Sequence, residues 1–118
     1  RFTNLIVRVS FKGTSADEFH KLTGAKAESF YLQLKALENL VEVGFKPGEE
    51  VYAAAMIGFS SDDSIVQFVK TLSKIHPKLV DVDWEYVFLY PHVVKLLERY
   101  GLKPLRAVRP DEIPKEMI

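Results

Sequence analysis

Asn4-Leu5-Ile6-Val7-Arg8-Val9-Ser10-Phe11-Lys12-Gly13-Thr14 places Leu5, Val7, Val9 and Phe11 at one set of alternate positions and Ile6, Arg8, Ser10 and Lys12 at the other. A two-residue period of this kind is that of a strand with one apolar face and a second face that meets something polar. The strand runs into a glycine-containing turn and then into Ser15-Ala16-Asp17-Glu18. In that capping box the Ser15 hydroxyl can take an amide three residues on while Glu18 reaches back, so a short helix starts there.

Further along, Gly24 stops this helix. A longer one follows from about Ala27, with Phe30, Leu34, Leu37, Leu40 and Val41 three and four residues apart on one face, and Gly44 marks its end. Lys46-Pro47-Gly48-Glu49-Glu50 is turn chemistry, and Val51 to Ile57 is an apolar run of strand length confined by Gly58 and the Ser60-Ser61-Asp62 cap. The third helix turns Ile65, Phe68, Val69 and Leu72 inward and ends at His76-Pro77. Val80 to Leu89 alternates Val82, Trp84, Tyr86 and Phe88 with Asp81, Asp83 and Glu85, which predicts a third strand. Pro91 suits the first turn of a fourth helix, which carries Val94 and Leu97 inward and ends at Gly101.

Strands separated by helical crossovers must run parallel, and right-handed crossovers place them in sequence order when the helices share one face. The expected fold class is therefore α/β, a parallel βαβαβα half of a partial (β/α) barrel. It forms a single domain over residues 1–118, with an irregular tail over 103–118 where Pro104, Pro110 and Pro114 oppose regular structure. Such a sheet has bare edges and a bare face, which predicts self-association or a completing partner.

Composition removes several function classes. Sixteen Lys and Arg balance sixteen Asp and Glu, which leaves no electrostatic footprint for sequence-independent nucleic-acid binding. The sequence contains no cysteine, so this chain alone offers neither a disulfide nor a thiolate for a metal or an iron–sulfur cluster. No apolar run is of membrane-crossing length and no secretory signal opens the sequence, so the expected location is cytoplasmic. The only side-chain amides are Asn4, Asn39, Gln33 and Gln67, a sparing use that fits a thermophile. A first residue of Arg1 fits either a trimmed leader or a piece of a longer polypeptide.

In parallel α/β folds chemistry gathers at the carboxyl ends of the strands, here Lys12-Gly13, Gly58-Phe59-Ser60 and Tyr90-Pro91-His92. Arg8, Ser10 and Lys12 share a strand face, where Asp83 or Glu85 could balance their charge; a polar face turned to solvent on an open sheet is the plainer alternative. Lys12-Gly13-Thr14-Ser15 lacks the glycine spacing of a phosphate loop, and Asp17 and Glu18 add negative charge to the helical turn behind it. His20, His76 and His92 show no metal-ligand spacing, and no Gly-x-Ser-x-Gly elbow is present. Trp84, Tyr86 and Phe88 could offer a stacking platform, although aromatics on a central strand are more often core.

Arg8-Val9-Ser10-Phe11-Lys12-Gly13-Thr14-Ser15, followed by Glu18-Phe19-His20-Lys21-Leu22-Thr23-Gly24-Ala25, resembles the middle of radical S-adenosylmethionine enzymes, in particular the glycyl-radical-activating-enzyme-like group. The resemblance extends over nearly the whole chain as the carboxyl-terminal half of the partial barrel. It implies that Ser10, Lys12 and His92 contact S-adenosylmethionine and that Arg8 and Glu85 face substrate. It also implies a [4Fe-4S] cluster, held by three cysteines of an amino-terminal half that would be this chain's partner. The chain departs from the pattern at Ser10, where an acidic residue is usual, and at Ala53, near an expected arginine. The competing expectation is a self-associating α/β interaction domain without catalysis.

Overall fold

A computed structural model describes residues 5–110. Strand β1 (Val7–Lys12) is followed by helices α1 (Ala16–Thr23) and α2 (Glu28–Glu42), strand β2 (Val51–Met56) and helix α3 (Asp62–Ile75). A single 3-10 turn (Pro77–Val80) leads to β3 (Asp83–Glu85) and β4 (Val87–Phe88), then α4 (Pro91–Tyr100) and β5 (Ala107–Val108). Strands β1, β2 and β3 form one parallel sheet in that order, as the crossover argument requires. No closed barrel is formed by the described residues.

Register explains which face is covered. Val7 lies beside Val51, Val9 beside Ala53, and Phe11 beside Ala55, which in turn lies beside Trp84. These residues face α1, α2 and α3, which insert Phe19, Phe30, Leu37, Phe68 and Leu72 into a common core. Phe11 sits at its centre, edge-on to Phe30 at 5.6 Å and to Phe68 at 5.1 Å between ring centroids. Ala53 and Ala55 in β2 are fully buried, and their small side chains let the helices close over the middle strand. Trp84 meets Phe68 edge-on, so it is a core residue rather than a stacking platform.

Three expectations need correction. The third strand does not run from Val80 to Leu89. Pro77 opens a 3-10 turn, the His76 ring nitrogen accepts the Lys78 amide, and Leu79 is buried against the core, so pairing starts only at Asp83 and stops after Glu85. The tail over 103–118 is not wholly irregular, because Ala107–Val108 pairs in parallel with Val87–Phe88 as a second, two-stranded sheet. The capping box of α1 is half made: Ser15 accepts the Glu18 amide at 3.2 Å, but the Glu18 carboxylate turns to Ser60. Pro110 is described and Pro114 lies outside the described residues.

Helix α3 has an uncomplicated cap, with Ser61 Oγ accepting the Ser64 amide at 3.1 Å and Asp62 and Asp63 in the first turn. Ser61→Ala should lower stability by about 1 kcal/mol, measured by urea denaturation, and Ser61→Asn should recover most of the loss. Equal stability of all three proteins would mean that the cap contributes nothing here.

Candidate functional site at the carboxyl ends of the strands

The sheet face opposite the helices carries Arg8, Ser10 and Lys12 from β1, all exposed, with Tyr52, Ala54 and Met56 from β2 and Asp83 and Glu85 from β3. All five polar residues that the sequence placed on this face apart from His92 are therefore brought together. Arg8 and Asp83 form an ion pair at 3.1 Å across the middle strand. With side chains 62% and 49% exposed, the pair orients both groups and adds at most about 1 kcal/mol. Nearer the carboxyl end, Lys12 and Glu85 flank Met56 on either side, about 10 Å apart by ordinary strand spacing. Neither side chain makes a hydrogen bond or ion pair with the described residues.

His92 is placed differently from the expectation. The sheet's third strand ends at Glu85, and His92 is an exposed residue in the first turn of α4, beyond β4. Its ring lies at 10° to that of Tyr90, with centroids 6.0 Å apart, and Tyr90 lies at 28° to Phe88. Phe88, Tyr90 and His92 thus form a row of near-parallel rings along β4 and the start of α4.

A buried hydroxyl network was not foreseen. Thr14 Oγ donates to Ser60 Oγ at 3.0 Å, and Ser60 Oγ donates to Glu18 Oε2 at 2.7 Å. Because the Thr14 proton is used in this way, the 2.7 Å contact between Ser64 and Thr14 is donated by Ser64. The turn after β1, the turn after β2 and the starts of α1 and α3 are thereby tied around one carboxylate. Gly13 is required here, since at φ 100° a Cβ would lie 2.7 Å from Glu18 Oε2. The sequence signal was Thr14 and Ser60 at the two strand-to-helix turns, but nothing in a linear pattern couples residues so far apart. Ser60→Ala leaves the Glu18 carboxylate and the Thr14 hydroxyl without their partner, and should cost about 1–3 kcal/mol in thermal or urea denaturation. A loss below about 0.5 kcal/mol would mean that water replaces Ser60 freely.

The carboxyl end of β2 is closed by the last described segment. Gly58 O accepts amides from Leu105 and Arg106, and the Arg106 guanidinium reaches Ser60 O and Asp62. Between α1 and this segment lies a cleft of about 420 Å³, lined by Ser15, Asp17, Glu18, Lys21, Phe59 and Leu105 among others.

Comparison with protein-family models, curated proteins and solved structures finds no match to the chain. The fit of the implied groups therefore rests on the residues. An ammonium at Lys12 and a hydroxyl at Ser10 lie exposed on this polar face, donors that suit a carboxylate or a hydroxyl of many ligands and single out none. A [4Fe-4S] cluster does not fit this chain, which has no cysteine to ligate it. Among the described residues no three His, Asp or Glu side chains gather as a metal site, and no helix is long and apolar enough to cross a membrane.

Proposed function

We propose that this chain is the carboxyl-terminal half of a radical S-adenosylmethionine enzyme barrel, contributing cofactor- and substrate-facing residues to a site completed by a cluster-binding amino-terminal half. The observation that carries this reading is the set of Arg8, Ser10, Lys12, Asp83 and Glu85 on the face of a parallel sheet opposite its helices.

Bound S-adenosylmethionine would supply one-electron chemistry once a reduced cluster acts on it. The residues of this chain bind and orient. Lys12 binds the ligand carboxylate, Ser10 donates to a hydroxyl, and the Arg8–Asp83 pair holds the floor of the face in place. Glu85, across Met56 from Lys12, faces a substrate donor. His92, in the first turn of α4 and outside this sheet, would reach the ligand only in the completed enzyme. The setting is cytoplasmic, where such clusters persist reduced.

Three closely spaced cysteines in the coding sequence upstream of Arg1 would support this reading, and their absence would defeat it. The 118-residue chain by itself should take up no stoichiometric cluster iron on anaerobic reconstitution, followed by visible absorption and iron analysis. A stoichiometric cluster on the chain alone would contradict the division of labour. The second reading, a self-associating domain, draws on exposed Leu96, Tyr100 and Leu105; light scattering across concentrations tests it, and a monomer throughout removes it.

A further inference from the structure

Among the described residues, strand β1 forms one edge of the sheet. Val7 N–H donates inward to Glu50 O at 2.8 Å, and in a parallel ladder the direction alternates, so the outward backbone groups are those of Arg8, Ser10 and Lys12. Helix α2 overhangs this edge, with Gln33 Nε2 donating to Ser10 O at 2.9 Å. Gln33 Oε1 is buried and has no partner among the described residues. Ser29 and Ala36, four residues before and three after Gln33, continue the same flank of α2, and Leu32, four before Ala36, is 68% exposed.

A second copy of β1 is a poor occupant. Antiparallel registers centred on Arg8, Ser10 or Lys12 set cation directly against cation. The registers centred on Val9 and on Phe11 oppose no cations directly, but they set Arg8 and Lys12, respectively, diagonal to their own copies. Like charges across a strand pair are one of the devices by which edges refuse self-pairing.

We infer that the outer edge of β1 is a docking edge for an extended segment that alternates acidic and apolar residues, and that it rejects a second copy of this chain. The acidic side chains lie beside Lys12 on the helix-free face. The apolar ones lie on Leu32, Ala36 and Ser29 of α2, and a backbone or side-chain donor of the incoming segment satisfies Gln33 Oε1. This inference rests on the reading of the chain as part of a larger sheet, but it needs no cofactor.

The test is amide hydrogen exchange of the isotope-labelled chain with two short peptides, one alternating valine with glutamate and one alternating valine with lysine. The glutamate peptide should slow exchange at Ser10 and Lys12 by about tenfold or more, and the lysine peptide should not. In Lys12→Glu the preference should reverse. Equal protection by both peptides, protection by neither, or an unchanged preference in Lys12→Glu would each overturn the inference. Such a failure, if Lys12→Ala still weakened S-adenosylmethionine binding in the completed enzyme, would remove the docking edge and leave the cofactor reading in place.

Discussion

Phe11→Ala should lower the free energy of unfolding by about 3–5 kcal/mol, a large share of the roughly 5–15 kcal/mol available to a domain of this size. Phe11 has no exposed surface and contacts the aromatic rings of α2 and α3 at once. Its removal takes away the transfer free energy of the ring and leaves a void that Ala53 and Ala55, already minimal in size, cannot fill. Chemical denaturation measures the loss directly, and Phe11→Leu, which keeps most of the volume, should recover more than half of it. A loss under about 1 kcal/mol for the alanine variant would mean that the helices close down on the gap and that the core is not organised around this ring.

Gly58→Val should act as strongly by a different route. A Cβ at Gly58 would stand 2.3 Å from a methyl of Val87 and 3.2 Å from both Arg106 O and Met56 Sδ. Val87 is β-branched and held in β4, so it has little rotamer freedom with which to yield. The expected result is a cost of about 3 kcal/mol or more, or release of β4, α4 and β5 from the end of β2. Limited proteolysis distinguishes the two: release exposes sites beyond Val87 while the core of residues 7–85 survives. Wild-type stability and wild-type protease resistance together would contradict the close approach.

Much of the fold was legible because its elements carry local signals. The strand parity of β1, the caps at Ser15 and Ser61, the apolar faces of α2 and α3, and the stop at Gly101 each depend on neighbours within one or two turns. The third strand was misread because Val82, Trp84, Tyr86 and Phe88 alternate as a strand should, while tertiary demands divide them. Leu79 and Trp84 are recruited by the core, and Val87–Phe88 by a partner strand in a segment rich in proline. Short strands with two pairs apiece leave almost no periodic trace.

The candidate site divides in the same way. Arg8, Ser10 and Lys12 were placed together by parity alone, and parallel order then brought Asp83 and Glu85 to the same face. His92 was drawn to the sheet rim only because the third strand was drawn too long. The Glu18–Ser60–Thr14–Ser64 network was invisible because each link joins separate turns, and hydroxyl-bearing residues at such turns look like ordinary caps.

We propose that Lys12 serves a ligand on the helix-free face. Calorimetric titration of S-adenosylmethionine into the anaerobically reconstituted protein, with this chain joined to its proposed cluster-binding half, measures it most directly. Lys12→Ala should weaken binding by about tenfold or more, near 1.4 kcal/mol, with cluster iron and unfolding free energy unchanged. The same affinity in both proteins would contradict the account and return Lys12 to the solvated surface.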